Sequence, residues 1–291
     1  MTVYNLGSIN ADYFYQVPHI PAPGETLSTK TLERGLGGKG ANQSVAMVRA
    51  GANVVHLGAV GEDGQWLLDR LADLGVDVVS IAKLDCASGH AVINIAADGE
   101  NAITIYPGAN VAICADRINE WMVDISDQDW LVLQNETSHQ RTAASLAKAK
   151  GARVVYSAAP FDAQAVLDVL PFVDILCMNE HEAKALEWEF QKTGLEGLGV
   201  GAALITYGSK GAAYHNFVTG EVTKVDGVGV RPVDTTGAGD TFCGYFIGRL
   251  SLGDAPKAAL LIANFAAALK VTRLGTADVI PELVEVIAFK G

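Results

Sequence analysis

A glycine-rich turn that ends at a carboxylate is the segment of this chain best suited to chemistry. It runs from Asp234 to Asp240, reads Asp-Thr-Thr-Gly-Ala-Gly-Asp, and leads into an apolar stretch with helical character. Gly237 and Gly239 permit backbone N–H groups to converge on one point, and the start of a helix adds its positive end. The segment therefore predicts an anion site. Asp240 has a purely structural alternative, because a carboxylate in a first helical turn also complements the helix dipole.

Length and composition indicate a soluble enzyme that forms one compact domain over residues 1–291. Apolar residues make up 49% of the chain and charged residues 19%, which excludes disorder. The net charge of −12 argues against a nucleic-acid or anionic-membrane surface, since phosphate binding needs a basic patch.

The chain is expected to be cytoplasmic. No basic segment followed by an apolar one opens the sequence, and the apolar helix expected over Ala258 to Val271 is too short to span a membrane. The four cysteines lie far apart in apolar surroundings without a C-x-x-C pair, which predicts buried reduced thiols rather than disulfides or zinc. They are Cys86, Cys114, Cys177 and Cys243.

Strands alternate with helices along most of the chain. β-branched runs occur over residues 54–57, 130–133, 153–156, 175–178 and 203–206, and helical apolar spacing occurs over residues 41–50, 66–74, 140–149, 163–170 and 181–186. This alternation predicts an α/β fold, a doubly wound and mostly parallel sheet flanked by helices on both faces.

Two segments interrupt the alternation and predict a small β lid over about residues 12–36 and 89–106. The first is extended and contains Pro18, Pro21 and Pro23, which do not fit a helix. The second resembles a hairpin with its turn at Asp98 and Gly99.

Several familiar nucleotide and hydrolase motifs are excluded by spacing. Residues 35–40 match G-x-G-x-x-G, but the preceding residues 29–34 are polar and charged, whereas a dinucleotide fingerprint follows a buried strand. Gly40 follows Lys39 where a P-loop needs Ser or Thr, and Tyr207 precedes Ser209 where a nucleophile elbow needs Gly.

The residues of five segments, and the order of these segments along the chain, resemble ribokinase-like members of the PfkB carbohydrate kinase family. Residues 7–12, 21–26 and 37–43 resemble the sugar-binding half of such kinases, Asn179 to Glu182 resembles an N-x-x-E element associated with magnesium, and Asp234 to Asp240 is similar to the family signature. The resemblance spreads over nearly the whole chain, and it implies a ribokinase-like fold.

The resemblance implies a sugar site at the carboxyl edge of the sheet. Asn10 and Asp12, taken to end the first strand, would bind sugar hydroxyls together with backbone and side-chain groups of Gly38, Lys39, Asn42 and Glu136. The structural alternatives are a strand-ending cap for Asp12, a solvated surface charge for Lys39 and an ordinary loop carboxylate for Glu136.

The resemblance assigns the chemistry to Asp240 as general base. Asp240 would take the proton of a primary sugar hydroxyl as that oxygen attacks the terminal phosphorus of ATP, while amides of Gly237, Ala238 and Gly239 stabilise the transferring group. Asn179 and Glu182 would organise Mg²⁺ through water, with a helix capping box as the alternative.

The resemblance further implies a nucleotide site and a monovalent cation, usually K⁺. The nucleotide would contact Asn179, Thr206, Gly208, Ser209, Gly211, Gly239 and Asn264. The cation would be held by Asp234 and the backbone oxygens of Thr236, Lys270, Arg273 and Gly275, with Val279 standing where ribokinase-like members have Ser.

The function implied is an ATP-dependent kinase of a free sugar, with ribose as the leading substrate and ribose 5-phosphate as product. The alternatives are another pentose, a ketohexose or a nucleoside as substrate, and a non-catalytic sugar-binding sensor. Alternating apolar residues of the lid, Val92, Ile93, Ile95, Ile103 and Ile105, predict one face that covers the sugar and another that pairs in a homodimer.

Overall fold

The computed structural model describes residues 1–190 and 194–289. In those ranges the strands are β1 (Val3–Leu6), β2 (Asn10–Val17), β3 (Leu32–Gly37), β4 (Val54–Gly61), β5 (Ile81–Leu84), β6 (Gly89–Ala96), β7 (Asn101–Tyr106), β8 (Trp130–Gln134), β9 (Arg153–Ser157), β10 (Ile175–Asn179), β11 (Ala202–Thr206), β12 (Gly211–Asn216) and β13 (Glu221–Asp226). The α-helices are α1 (Lys39–Arg49), α2 (Gln65–Asp73), α3 (Ala115–Trp121), α4 (Gln140–Ala149), α5 (Ala163–Val169), α6 (Glu180–Glu189), α7 (Ala238–Ser251), α8 (Pro256–Lys270) and α9 (Leu283–Ala288).

The main sheet has nine strands in the order β13-β12-β11-β10-β9-β8-β1-β4-β5. The strands from β11 to β5 in this order pair in parallel, while β12 runs antiparallel to both of its neighbours. The predicted doubly wound, mostly parallel sheet is therefore confirmed. β1 lies between β8 and β4, so the order of the strands reverses at β1. Doubly wound sheets bind ligands at the carboxyl ends of the strands at such a reversal.

Helices cover both faces of the main sheet, so its strands are buried on both sides. One apolar core joins the sheet to α1, α2, α7 and α8, and a second joins it to α3, α4, α5 and α6. Within the first core α1 and α7 lie very close, since a Cβ added at Gly244 would lie 2.5 Å from the Cβ of Ala46. The positions of the two helix starts are thus fixed relative to each other.

The predicted lid is a separate four-stranded sheet, in the order β3-β2-β6-β7. Asn10 and Asp12 do not end the first strand, as the sequence had suggested: β1 ends at Leu6, and both residues lie in the lid strand β2. The reason is that the chain continues in extended form past the edge of the main sheet. The two residues still lie just beyond the carboxyl end of β1.

The pairing of the lid strands shows which side chains share a face. Asp12 pairs with Ala91, and Ala91 pairs with Ile105, so these residues project from the same face of the lid. Ile93 and Ile103 pair with each other two residues further along the same strands, and therefore project from the same face. Ile93, Ile103 and Ile105 therefore share the face of Asp12, while Val92 lies on the opposite face.

The four cysteines are free. Cys177 and Cys243 are buried, Cys86 is partly exposed and Cys114 is exposed. The expectation that all four are buried was wrong, since Cys114 precedes a surface helix rather than a core strand. No helix in the described part of the chain is both long enough and apolar enough to cross a membrane.

Candidate active site

Two helix starts meet at the candidate general base. Gly38 and Gly237 adopt positive φ angles of 94° and 71°, which glycine permits, and directly precede α1 and α7. Asp240 lies in the first turn of α7 and is 9% exposed. Its Oδ2 accepts a hydrogen bond from Asn42 Nδ2 at 3.0 Å, and its Oδ1 accepts one from Gln43 Nε2 at 3.1 Å. Its carboxylate is thus held in one orientation by α1.

The backbone amides around Asp240 form a group of donors at the start of α7. The N–H groups of Gly237, Gly239 and Asp240 donate to no acceptor within the described ranges. The amide of Ala238, which was expected to join them, donates instead to the carbonyl of Thr235 at 3.2 Å, because the turn closes on itself there. The free amides and the helix dipole still provide a site for an anionic group.

A polar cleft of about 180 Å³ opens beside Asp240. Its lining includes Lys39, Asn179, Glu182, Gly237 and Gly239. The charge of Asp240, with smaller contributions from Glu136 and Glu182, raises the pKa of Lys39 although burial acts to lower it. Lys39 therefore remains a cation within a cleft, not a solvated surface charge.

Glu136 is fixed beside the start of α1. Its Oε2 accepts hydrogen bonds from the Ser8 hydroxyl and, at 3.1 Å, from the backbone N–H of Lys39. Burial raises the pKa of Glu136, while the charge of Lys39 and these hydrogen bonds act in the opposite direction. Glu136 is thus held in place between β1 and α1 by its hydrogen bonds and does not extend freely from its loop.

Asp12 and Asn10 present polar groups from the lid toward the same region. Asp12 is buried, its carboxylate makes no hydrogen bond with the residues that the structure describes, and burial together with the charge of Glu136 raises its pKa to about 7. The Oδ1 of Asn10 accepts a hydrogen bond from Asn110 Nδ2 at 2.8 Å. Asn110 was not singled out from the sequence, because it follows the lid hairpin in a short turn without motif character.

A chain of buried polar side chains lies behind Asp240. Gln43, which contacts Asp240, accepts a hydrogen bond from Gln134 Nε2 at 2.9 Å, and the same Nε2 donates to Asn5 Oδ1 at 2.8 Å. Asn5 donates in turn to Ser44 Oγ at 2.7 Å. These residues come from α1, β8 and β1, so the network links the candidate base to the centre of the main sheet. Sequence reasoning did not find it.

Asn179 and Glu182 form the capping box of α6. The side chain of Asn179 accepts hydrogen bonds from the N–H groups of His181 and Glu182, and Glu182 Oε2 accepts one from the N–H of Asn179 at 2.7 Å. The structural alternative therefore holds. Both residues also line the polar cleft, so the cap orients a carboxylate toward it.

A second and more apolar cleft, of about 270 Å³, adjoins the first. The two share Thr206 and Gly239 in their linings. Asn264 lines the second cleft from α8, and its Nδ2 donates to the carbonyl of Asp226 at 2.7 Å. The structure thus brings together in this cleft six of the seven residues expected to contact the nucleotide: Thr206, Gly208, Ser209, Gly211, Gly239 and Asn264. The seventh, Asn179, lines the polar cleft instead.

Asp234 joins the two loops that were expected to hold a monovalent cation. Its carboxylate accepts hydrogen bonds from the N–H groups of Thr236 at 2.9 Å and Gly275 at 3.0 Å. Burial acts to raise the pKa of Asp234, but these hydrogen bonds and the charge of Lys270 together hold it below its usual value. Asp234 is therefore a charged carboxylate beside the glycine-rich turn.

The side chain of Lys270 lies where the cation was expected. Lys270 is fully buried, and its ammonium donates hydrogen bonds to the carbonyls of Thr236 and, at 3.2 Å, Asp234. Its carbonyl, the expected ligand, accepts a hydrogen bond from the N–H of Arg273 at 2.9 Å. Burial lowers the pKa of Lys270, while Asp234 and Asp240 act to raise it. These residues do not fit the monovalent cation site that the resemblance implied, because an internal ammonium already donates hydrogen bonds to the backbone carbonyl of Thr236, one of the expected ligands, and to that of Asp234.

Comparisons with known proteins agree with this geometry. A family profile described as pfkB family carbohydrate kinase matches residues 2–283. A ribokinase of Haemophilus influenzae is 35% identical, over 99% of this chain and 98% of that protein. The solved structure of ribokinase from Thermotoga maritima has a TM-score of 0.86 at 31% identity, and covers 99% of this chain and 98% of its own. Ribokinase of Arabidopsis thaliana complexed with ribose and ATP has a TM-score of 0.86 at 28% identity, with 99% and 97% covered. The chain therefore belongs to the pfkB family of carbohydrate kinases.

Proposed function

We propose that this kinase transfers the terminal phosphoryl group of ATP to the primary hydroxyl of a free sugar, with ribose as the preferred substrate and ribose 5-phosphate as product. The observation that carries the proposal is the placement of Asp240. Its carboxylate is oriented by two amide side chains of α1 and lies in a polar cleft that joins a second cleft of about 270 Å³. The names of the relatives support ribose and ATP as the substrates.

The sugar would be bound between the lid and the start of α1. The buried carboxylate of Asp12 lacks a hydrogen-bond partner among the described residues, so it is available to accept hydrogen bonds from vicinal hydroxyls. Asn10, Gly38, Lys39, Asn42 and Glu136 surround the same region. Covering by the lid would exclude water from the transfer.

Phosphoryl transfer would use Asp240 as general base. Asp240 accepts the proton of the primary hydroxyl while the bond between that oxygen and the terminal phosphorus forms and the bond from phosphorus to the bridging oxygen of ADP breaks. The unpaired amides of Gly237 and Gly239 donate to the transferring group and stabilise its charge. Lys39 adds a positive charge on the same side of the cleft.

The nucleotide would lie with its base and ribose in the apolar cleft and its phosphates toward Gly239. Mg²⁺ would neutralise charge on the phosphates, and the residues present fit an ion held mainly by phosphate and water. No cluster of three or more acidic, His or Cys groups that could hold a metal occurs in the described ranges. Glu182, oriented by the α6 cap, can accept hydrogen bonds from such waters.

Turnover with a panel of acceptors tests the proposal. ADP release would be measured with ribose, 2-deoxyribose, other pentoses, ketohexoses and nucleosides, and the position of the phosphate would be determined by ³¹P NMR. We expect ribose to give the highest kcat/KM, with the phosphate at the primary hydroxyl. ADP release with none of the acceptors would favour a binding sensor, and a preferred nucleoside or ketohexose would overturn the choice of ribose.

We also propose that the protein forms a homodimer through the lid and acts in the cytoplasm. Ile103 and Ile105, on the last strand of the lid sheet, are 49% and 55% exposed, and a second copy of the lid would cover them. Four free cysteines and a dependence on ATP fit a reducing compartment.

A further inference from the structure

Lys270 is an unusual lysine, because its ammonium is inside the protein. It is the last residue of α8 and is fully buried. An isolated ammonium in such a position is strongly unfavourable unless oxygen atoms surround it. Here the ammonium donates to the carbonyls of Thr236 and Asp234, and the Asp234 carboxylate lies 4.0 Å away. The carboxyl end of α8 adds the negative end of its dipole.

These contacts connect Lys270 with the amides beside the candidate base. Thr236 directly precedes Gly237, whose unpaired N–H belongs to the predicted phosphoryl site. Asp234 holds the amides of Thr236 and Gly275, so that the ammonium and the carboxylate together fix the turn from both sides. A positive charge at this place stabilises the turn, and it also favours negative charge on a group bound at the amides.

The residues around the expected cation position offer a bound cation few free ligands, so the Lys270 ammonium occupies this position. Val279 contributes only an apolar side chain, and a Cβ added at Gly275 would lie 3.4 Å from Val279 Cγ1. The carbonyl of Lys270 is engaged by the N–H of Arg273. Both Asp234 and Thr236, the ligands expected at the start of the turn, already face the ammonium.

We infer that the ammonium of Lys270 supplies the positive charge that a bound monovalent cation was expected to supply, and that this enzyme works without K⁺. The inference rests on the proposed function in so far as the turn binds the transferring phosphoryl group. Lys270 acts here through the turn and is a positioning residue.

The wild-type protein gives the first test. Turnover and melting temperature would be measured in chloride salts of K⁺, Na⁺ and tetramethylammonium at equal ionic strength, the last ion being too large for a site of carbonyl oxygens. We expect the same kcat and the same melting temperature in all three. A saturable rise of either quantity with K⁺ would overturn the inference.

Two variants of Lys270 give the second test. Lys270→Ala opens the position, and we expect a loss of kcat of about 100-fold, similar to the loss of one preorganised donor at such a site. K⁺ or ammonium should then restore kcat and raise the melting temperature saturably. Lys270→Met fills the position without charge and should respond to neither ion. Lys257→Ala, at an exposed position of the same helix, is the matched control and should behave as wild type.

The melting temperatures need neither sugar nor ATP, so they separate this inference from the proposed function. A wild type that releases no ADP with any sugar contradicts the proposed function alone. A folded Lys270→Ala variant that keeps its kcat, or whose melting temperature ignores K⁺, contradicts the inference. If the variants do not fold, the salt series on the wild type decides.

Discussion

Among single residues, Asp12 combines burial with a carboxylate that has no hydrogen-bond partner in the described parts of the chain. Burial, with the nearby charge of Glu136, raises its pKa from 3.8 to about 7. The folded protein therefore binds a proton at Asp12 more tightly than the unfolded chain does. Between about pH 4 and about pH 7, stability falls as the pH rises, and above about pH 7 the full cost of the buried charge is present.

This charge predicts that Asp12→Asn is more stable than the wild type at alkaline pH but binds sugar poorly. We expect its melting temperature at about pH 8 to be at least about 2–4 °C higher, which corresponds to about 1 kcal/mol for a chain of this size. The difference should disappear toward about pH 4. Thermal unfolding across this range checks it, with Asp85→Asn, an exposed carboxylate, as control. A difference that does not change with pH would contradict the proposed cause.

Sequence reasoning could single out individual residues when a motif carried them. It selected Asp240, Lys39 and Glu136, which the structure brings to one region. It could not predict the direction of the Lys270 side chain, because a lysine at the end of a helix normally extends into solvent. It also assigned the amide of Ala238 to the anion site, since the spacing of a turn does not reveal which N–H closes it.

At the level of elements, α1 determines where the carboxylate of Asp240 points. Asn42 and Gln43 are adjacent on α1 and both donate to it, while Gln43 is itself held by Gln134 of β8. The start of α7 alone fixes the backbone of Asp240 but not the orientation of its side chain. The network from the main sheet through α1 is therefore part of the positioning of the base.

Removal of Gln43 should affect catalysis more than nucleotide binding. Gln43→Ala breaks a buried hydrogen bond to a charged group, for which we expect a loss of about 1.5–3 kcal/mol in stability. We expect kcat to fall by about tenfold, as for about 1.4 kcal/mol of lost positioning energy, with the KM for ATP little changed. Steady-state kinetics and urea unfolding measure both effects.

Gln164→Ala is the matched control for this variant, because Gln164 pairs with Asp168 on the exposed side of α5. It should leave both kcat and stability close to wild type. Equal effects of the two substitutions on kcat would show that the network does not position Asp240.

The elements themselves were largely predictable, and the exceptions have physical reasons. The buried strands β8, β9 and β10 show nearly continuous apolar runs, and these indicate a parallel sheet with helices on both faces. The hairpin of β12 and β13 was not predicted, because its second strand is mostly exposed and carries charged residues. The network of Asn5, Gln43 and Gln134 joins residues up to 129 positions apart, which a single sequence does not reveal.

For the whole molecule, the lid predicts the oligomeric state. Ile103 and Ile105 share a face with Asp12, so a partner lid that covers them would also lie near the sugar site. We expect a dimer at micromolar concentration in sedimentation velocity. Ile105→Glu should shift it toward monomer and raise the KM for ribose, whereas Val218→Glu, at a position 83% exposed far from the lid, should do neither. A wild type that sediments only as monomer would contradict the proposal.

The arrangement of the whole molecule places one acid, Asp240, in the polar cleft, next to Gly239, which also lines the apolar cleft, and to the free amides of α7. Asp240→Asn keeps the shape of this side chain and removes its basicity, so it tests the central claim directly. We expect kcat to fall by about 10²–10⁴-fold, the usual contribution of a general base. Ribose affinity, measured by calorimetry on the same protein, should remain close to wild type. Retention of normal turnover by Asp240→Asn would contradict the account.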